Sequence, residues 1–463
     1  MERKNAWAAY AGDDGRVEAF AKAYCDFINN GKTERECVAY GEKLAKAHGF
    51  EDLNAVVRSG KKLEAGARVY VNWMGKSFML FVLGQKPLEE GMNILGAHID
   101  SPRIDVKQNP LYEDTDLAYL DTHYYGGIKK YQWVAMPLAL HGVIVKKSGE
   151  KVMINIGEDE SDPVFCISDL LIHLAQEQMA KNAKDVVEGE ALNLIVGGKP
   201  LAGEEKDAVK ANVLKLLADK YGVEEEDFLS AELEIVPAGK ARDMGFDRSM
   251  ILGYGHDDRV CAYPSMMAVL DYEGTPDYTL CCIITDKEEI GSVGATGMAS
   301  HYLENTVAEL YACTADYCEL AVRRCLRNSR MLSSDVSAGY DPNFASAFEK
   351  KNSAFLGRGI CFNKFTGSRG KSGSNDANPE FMASLRKIMD DAGVAFQTAE
   401  LGRVDLGGGG TIAYLCAKYG MNVIDSGIAV LSMHAPYEII SKVDLYEGYR
   451  CYCAFLKNAK PVD

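Results

Sequence analysis

Short apolar runs alternate with longer helical stretches over most of this 463-residue chain, and no other feature limits the fold as strongly. Runs that read as strands, each closed by Gly or a turn, are "ARVYVNWMG", "SFMLFVLG" and "NILGAHI". After about residue 245 the pattern returns in "YTLCCIITD", "AELYACTADY", "GICFNKF" and "NVIDSGIAVLSMH". Strands that alternate with helices predict an α/β sheet with helices on both of its faces.

Residues 106–245 differ in character from the rest of the chain. Two runs in this segment predict strands of a separate sheet, "YQWVAMPLALHGVIVKK" and "EKVMINIG". Two others predict helices, "SDLLIHLAQEQMAKNA" with its cap at Ser168 and "DAVKANVLKLLADKYG" closed by Gly222. A chain of this length exceeds one ordinary core. We therefore predict a discontinuous α/β domain, residues 1–105 and 246–463, interrupted by an inserted domain, residues 106–245.

Composition and charge exclude several classes of protein. The formal net charge is −16, and no basic stripe is present that could neutralise the phosphates of a nucleic acid. The thirteen cysteines form no CxxC pair, which favours a reducing cytoplasm over a disulfide framework. We find no signal peptide and no apolar run of the ~18 residues that cross a bilayer. We expect a cytoplasmic protein that binds neither nucleic acids nor membranes.

Potential metal ligands follow strand-like runs at five places, namely His98, Asp257, Glu288-Glu289, Asp335 and His434. In open α/β sheets, sites form at the carboxyl ends of strands, so these positions can converge. Two imidazoles and three carboxylates are a set that zinc accepts. Two ions about 4 Å apart need a bridging carboxylate, and each needs further terminal ligands. One carboxylate then remains, and hydrolysis needs a general base.

Each of these positions also has an ordinary structural explanation. A lone histidine at a strand end is usually a satisfied polar residue, and Asp-Asp before a helix is usually an N-cap. Glu-Glu after a strand is usually a solvated turn. In "HIDSPR", Asp100 either belongs to a blunt turn or supports the imidazole of His98 from behind. The ordinary explanations weaken together, because all five positions follow buried-looking strands and complete one site.

Seven motifs resemble those of the aspartyl aminopeptidase and vacuolar aminopeptidase I family of dinuclear zinc exopeptidases. They are "GAHIDSPR", "THYYGG", "HDDRV", "DKEEIGSVGATG", "SSDVSAGYDPNF", "SRGKSGSNDA" and "LSMHAPYEIISKVDLYEGY", and the resemblance runs over nearly the whole chain. The resemblance implies a zinc-exopeptidase-like mixed sheet flanked by helices, which forms the catalytic domain. It also implies that the insertion is a β-rich dimerisation domain, and that the chain forms a homo-oligomer, usually a tetrahedral dodecamer.

The resemblance implies a role for each ligand. His98 and Asp335 would bind one zinc, Glu289 and His434 the other, and Asp257 would bridge the two.

Three further features follow from the same resemblance. Glu288 would be the general base, and Asp100 would hydrogen-bond the imidazole of His98 and fix its orientation. The peptide bond between Asp257 and Asp258 is expected to be cis, as is common after the bridging aspartate in this structural class.

The insertion and the loops carry further candidates for contact with substrate. The family has a histidine in the helix "LAIHL" that reaches across a dimer interface into the neighbour's active site. "LLIHL" places His173 there, and its alternative is a histidine on a helix surface. Arg369, Lys371 and Arg403 are candidate partners for an acidic substrate side chain, or are simply solvated. The preferred N-terminal residue therefore stays open.

The predicted function is that of a metallo-aminopeptidase, which removes the N-terminal residue from peptides with a free amine. Two divalent ions per subunit are expected, and zinc is favoured, although cobalt and manganese also suit these ligands. A rival enzyme is a dinuclear amidohydrolase or deacylase that acts on a small acylated metabolite. A rival from another class is a catalytically silent binding protein that keeps only the fold.

Overall fold

A computed structural model describes residues 4–462 of the chain, and these residues fall into two compact units. The first unit contains the residues up to Asp100, Ala241–Met433, and the residues from Glu438 onward. The second contains Ser101–Lys240 together with His434–Tyr437. The assignment of catalysis to one unit and dimerisation to the other stays a prediction.

The helices are, in chain order, α1 (Gly15–Asn30), α2 (Glu34–Ala47), α3 (Leu53–Ser59), α4 (Gln176–Met179), α5 (Ala208–Tyr221), α6 (His256–Leu270), α7 (Tyr302–Thr314), α8 (Glu319–Asn328), α9 (Pro379–Ala392), α10 (Ala413–Ala417) and α11 (Lys442–Asn458). Over the described residues, none of these helices combines the length and the apolar character that crossing a bilayer demands.

The strands are β1 (Glu51–Asp52), β2 (Arg68–Trp73), β3 (Ser77–Val82), β4 (Met92–His98), β5 (Arg103–Asp114), β6 (Leu117–Tyr125), β7 (Leu138–Val145), β8 (Lys151–Ile156), β9 (Leu194–Gly197), β10 (Ala231–Pro237), β11 (Arg242–Met244), β12 (Met250–Gly253), β13 (Thr279–Thr285), β14 (Arg330–Ser334), β15 (Ser337–Ala338), β16 (Ile360–Asn363), β17 (Phe396–Thr398), β18 (Asn422–Gly427), β19 (Ala429–Val430) and β20 (Glu438–Ser441).

The first unit is built on a mixed sheet with the strand order β1-β2-β3-β13-β4-β14-β18-β16-β17. Strand β4 is parallel to both β13 and β14, whereas β3 is antiparallel to β13. One apolar cluster packs helices α1, α2, α6, α9 and α11 on the sheet, and a second cluster packs α3, α7, α8 and α10. The predicted mixed sheet with helices on both faces is confirmed.

The three central strands explain where a site can form. Every residue of β4, β13 and β14 is buried, as expected of parallel strands covered on both faces. In the register of the sheet, Thr285 is paired with His98, and Ser333 with Gly96. The polar residues that follow these strands therefore emerge at one edge of the sheet.

The second unit is β-rich, as predicted. Its sheet has the strand order β8-β7-β10-β5-β6-β9, and every neighbouring pair is antiparallel. Helix α5 contacts β5, β6 and β9. The predicted helix in "DAVKANVLKLLADKYG" is confirmed, and Gly222 closes it in the left-handed conformation with φ of 64°.

The predicted helix in "SDLLIHLAQEQMAKNA" is wrong. Only Gln176–Met179 is helical, and the residues before it form turns and irregular structure. Leu170, Leu171, Ile172 and Leu174 are 48–71% exposed, so their apolar side chains are not packed in a core formed by residues 4–462. Most helical stability in proteins comes from the packing of one apolar face. Without that packing, the periodic pattern of apolar residues does not by itself stabilise a helix.

The predicted strand in "AELYACTADY" is also wrong, because helix α7 extends from Tyr302 to Thr314. Leu303, Val307 and Leu310 are buried, and their spacing is that of one helical face. The run "AELYACTADY" begins in the middle of this helix and contains too few of its residues to show the helical spacing of apolar side chains.

Candidate metal centre

His98, the last residue of β4, lies at the centre of a cluster of carboxylates and is 1% exposed. Its Nδ1–H donates to the backbone carbonyl of Asp100 over 3.0 Å, and Nδ1 is 3.3 Å from Asp100 Oδ1. Its Nε2 is 3.2 Å from Asp257 Oδ1, 3.8 Å from Asp335 Oδ1 and 4.0 Å from Glu288 Oε2. With the proton on Nδ1, the lone pair of Nε2 is available to a cation.

Asp100 connects His98 with the turn that follows β13. This turn, Glu288–Ile290, is a single turn of 3-10 helix. The Glu288 N–H donates to Asp100 Oδ1 and the Glu289 N–H to Asp100 Oδ2, each over 3.1 Å. One buried carboxylate therefore holds the backbone of two candidate residues beside the imidazole.

Asp257 reaches the cluster from the start of α6, outside the main sheet. The bond between Asp257 and Asp258 is cis, as predicted. The Asp257 N–H donates to Glu438 Oε2 over 3.0 Å, and the His98 N–H donates to Asp258 Oδ2 over 3.3 Å. Asp258 and Glu438 were not among the predicted site residues, although both lie within quoted motifs. The "HDDRV" motif itself offers two adjacent carboxylates.

Asp286, another residue that the sequence did not single out, supports the same turn. The Lys287 Nζ and the Thr296 hydroxyl each donate to Asp286 Oδ2 over 2.6 Å, and Lys76 Nζ is 3.6 Å from that oxygen. Asp286 is fully buried and precedes Glu288 by two residues. Its only signal in the sequence is its position at the head of "DKEEIGS".

The cluster offers two sets of metal ligands. His98, Asp257 and Glu289 form one, and His98, Asp258 and Asp335 form the other. In each set, one ligand atom per residue lies within 4.8 Å of the others. Imidazole nitrogen with carboxylate oxygen is a combination that zinc accepts. The residues present therefore fit a divalent metal ion.

The electrostatics of the cluster also favour a cation. Burial, followed by the negative charge of Asp335, raises the pKa of Glu288 to about 8. Burial likewise raises the pKa of Asp258 well above its usual value. Burial lowers the pKa of His98, but hydrogen bonds to Asp100, Asp257 and Asp335 outweigh it and raise that pKa well above normal. The raised pKa values show that bound protons are favoured in the cluster because they reduce its negative charge. A divalent ion would balance the same negative charge.

We expect the metal-free protein to lose stability as the pH rises. The pKa of Glu288 is raised from 4.5 to about 8, so the folded state holds this proton more tightly than the unfolded state. Its contribution is fully present below pH 4.5 and is lost as the pH approaches 8, by up to about 5 kcal/mol. Thermal unfolding of chelator-treated protein between pH 5 and 9 measures this, and Glu288→Gln should flatten the pH dependence. An equal dependence in both proteins would contradict the assignment.

Two of the predicted site residues, His434 and His173, belong to the second unit. His434 belongs to the second unit, has φ of 64°, and is in neither set. Its Nδ1–H donates to the Gly127 carbonyl over 2.9 Å, which leaves Nε2 with its lone pair, as in many metal-binding histidines. His173 lies in an exposed turn of the second unit, not in a helix.

The three candidate cations for an acidic substrate differ in their surroundings. Lys371 Nζ is 2.9 Å from Asp376 Oδ2, so its charge is already balanced. Arg403 donates from Nη1 to the backbone carbonyl of Ser346 over 3.2 Å. Arg369 has φ of 43° in the same loop as Lys371.

Comparisons with known proteins show a family to which the whole chain is similar. The profile of the family described as aminopeptidase I zinc metalloprotease (M18) matches residues 27–456. A probable M18 family aminopeptidase 1 of Clostridium acetobutylicum is 58% identical over 461 residues, which cover 99% of this chain and 98% of the relative. The crystal structure of an M18 family aminopeptidase from Thermotoga maritima is 43% identical, with a TM-score of 0.94, and covers 99% of this chain and 100% of its own.

A more distant structure describes an assembly. It is that of the mApe1 dodecamer of S. cerevisiae, 21% identical with a TM-score of 0.77, over 96% of this chain and 97% of its own. At that identity the likeness concerns the fold.

Proposed function

The chain belongs to the aminopeptidase I zinc metalloprotease (M18) family and is a metallo-aminopeptidase, and we propose that it works through a dinuclear metal centre with Glu288 as the general base. The observation that carries the proposal is that the carboxylates of Asp257, Asp335 and Glu288 all lie within 4.0 Å of His98 Nε2.

His98 and Asp335 would hold one ion, Glu289 and His434 the second, and Asp257 both. The family description favours zinc, and the ligand set also suits cobalt and manganese. When bound, such ions polarise a scissile carbonyl and lower the pKa of water.

In this proposal Glu288 moves protons and does not bind an ion. Its Oε2 is 4.0 Å from His98 Nε2, and Asp100 holds its backbone N–H. A general base works best when its pKa lies near the operating pH, and burial already moves the pKa of Glu288 in that direction. Glu288 would take a proton from the attacking water and deliver it to the departing amine of the shortened peptide.

The test of this function compares substrates with and without a free amine. Aminoacyl chromogenic substrates should be hydrolysed, and the same compounds with an acetylated amine should not. Removal of metal should abolish the hydrolysis, and added zinc, cobalt or manganese should restore it to different extents. Faster hydrolysis of the acetylated compounds would favour the deacylase and contradict the proposal.

We further propose a cytoplasmic enzyme that acts as a homo-oligomer built from dimers. All thirteen cysteines, which lie within the described residues, are free thiols, as expected in a reducing compartment. Leu170, Leu171, Ile172 and Leu174 surround His173 and are 48–71% exposed. A contiguous exposed apolar patch is typical of a surface that another protein covers. A second copy of the chain is the partner that we propose.

On this surface, His173 would enter the active site of the neighbouring subunit. We expect His173→Phe to lose about 100-fold or more in kcat without loss of metal, since one donor to a developing oxyanion is worth ~3–4 kcal/mol. His301→Phe is the matched control, because His301 is also an exposed histidine but lies in the first unit.

Mixed assemblies decide whether His173 acts across subunits. Subunits with His173→Phe and subunits with Glu288→Gln should each be nearly inactive alone. After subunit exchange, a site with intact Glu288 can receive an intact His173 from its neighbour, and activity should return. No recovery after proven exchange would exclude the proposed role.

A further inference from the structure

A cavity of about 470 Å³ lies within the second unit, between helix α5 and the six-stranded sheet. Leu140, Ile154 and Leu233 of the sheet form one wall, and Val213 and Leu217 of α5 form another. The engineered cavities that bind benzene measure about 150 Å³, and small-molecule sites occupy ~300–1,000 Å³. The volume is therefore that of a binding site rather than of a packing defect.

The cavity is a recess and not a flat face. Leu140, Ile154 and Leu233 are only 3–6% exposed, so they lie well below the surface. Helix α5 does not close onto them, because Val209 is its only residue that is buried, among the residues described. Leu216, which also lines the cavity, is 60% exposed and marks its opening. Interiors of proteins are normally close-packed, so an apolar gap of this size favours an apolar occupant.

The polar residues that line the cavity are consecutive. They are Asp219, Lys220 and Tyr221, at the C-terminal end of α5. Asp219 Oδ2 is 2.5 Å from Lys215 Nζ, so its charge is balanced. Lys220 Nζ is 5.1 Å from the centroid of the Tyr221 ring, and among residues 4–462 no carboxylate forms an ion pair with it. The contact with Tyr221 and, to a smaller extent, the negative charge of Asp162 raise the pKa of Lys220.

The C-terminal end of α5 therefore brings the positive charge of Lys220 to the lining, and the lining outside residues 219–221 is hydrocarbon. The C-terminal end of a helix has a partial charge of about −0.5, which the full charge of Lys220 exceeds. We propose that this cavity binds a single unbranched alkyl chain with a carboxylate head, the head at Lys220 and the chain between α5 and the sheet. None of the proposed metal ligands lines the cavity, so the proposal does not depend on the proposed mechanism.

Calorimetric titration of the full-length protein with dodecanoate tests the proposal. Dodecanoate should bind with one molecule per chain. Lys220→Gln should weaken dodecanoate by about tenfold, as expected for the loss of a charge-assisted contact, and should leave the binding of dodecanol unchanged. Lys210→Gln is the matched control, because Lys210 lies on the same helix and does not line the cavity.

Two filling variants test the location of the chain. Val213→Trp fills the cavity from the helix and Ile156→Phe fills it from the sheet, and either should abolish binding of both ligands. Circular dichroism shows whether each filling variant folds. If one of the two does not fold, the binding measured with the other variant tests the proposal. Unchanged binding in a folded filling variant would overturn the proposal.

Two further results would also overturn it. Equal effects of Lys220→Gln on dodecanoate and dodecanol would exclude the carboxylate head. A native protein that binds neither ligand, together with a filling variant whose assembly dissociates, would show that a second copy of the chain fills the cavity.

Discussion

Glu288→Gln should lower kcat by about 10²–10⁴ and leave the metal content and the fold unchanged. The amide has the size of the carboxylate but cannot accept the proton of a water molecule. The carboxylate is not needed as a ligand, because Asp257, Glu289, Asp335 and the two histidines complete the proposed centre. The loss should therefore appear in kcat more than in the metal content, and steady-state kinetics with metal analysis on the same sample measures both.

An exposed glutamate provides the control for this substitution. Glu309 lies on helix α7, is exposed, and belongs to neither ligand set. Glu309→Gln makes the same chemical change at the surface and should leave kcat unaltered. If Glu288→Gln retained near-normal kcat with full metal occupancy, another group would be the base. If it lost metal instead, Glu288 would be a ligand.

The strand pattern of the sequence predicts which candidate residues come together after buried parallel strands. Such strands read as uninterrupted apolar runs, so the first polar residue after each of them stands out. His98 ends β4, Asp335 follows β14, and Glu288 begins the turn after β13. Their convergence follows from the parallel pairing of these strands alone.

Asp257 is a candidate for the same reason, since it too follows a strand-like run, but that reason does not account for its position in the structure. It follows β12, which belongs to a three-stranded sheet and not to the main one, so the rule of strand ends does not place it beside His98. The family resemblance added only its bridging role, and no local pattern in "HDDRV" distinguishes Asp257 from Asp258. Both carboxylates approach His98, one through its side chain and the other through its backbone N–H.

The errors concern segments whose conformation depends on contacts distant in sequence. "LLIHL" has the apolar period of a helix, but its apolar side chains are exposed and are not packed in a core formed by the described residues. A periodic pattern predicts a helix only where another surface covers its apolar face. Likewise, the hydrogen bonds from Glu288 and Glu289 to Asp100 join residues 188 and 189 positions apart, which no local rule detects.

Asp257→Ala should remove both metal ions and with them the aminopeptidase activity. A bridging carboxylate offers one oxygen to each ion, so its loss weakens both positions, whereas loss of a terminal ligand weakens one. The backbone should keep its place, because the N–H of residue 257 donates to Glu438 Oε2 irrespective of the side chain. Mass-spectrometric metal analysis after dialysis, with circular dichroism to confirm folding, gives the number of ions per chain.

Asp258→Asn is the control that separates the two adjacent aspartates. Burial raises the pKa of Asp258 well above its usual value, and asparagine keeps the size of this side chain and an oxygen that can accept from the His98 N–H. If Asp257 is the bridge, Asp258→Asn keeps its metals while Asp257→Ala loses them. Asp258 also belongs to the set with His98 and Asp335, so the opposite pattern is the meaningful alternative. Metal retained in Asp257→Ala and lost in Asp258→Asn would make the second carboxylate of "HDDRV" the ligand, and loss of a single ion in Asp257→Ala would make Asp257 a terminal one.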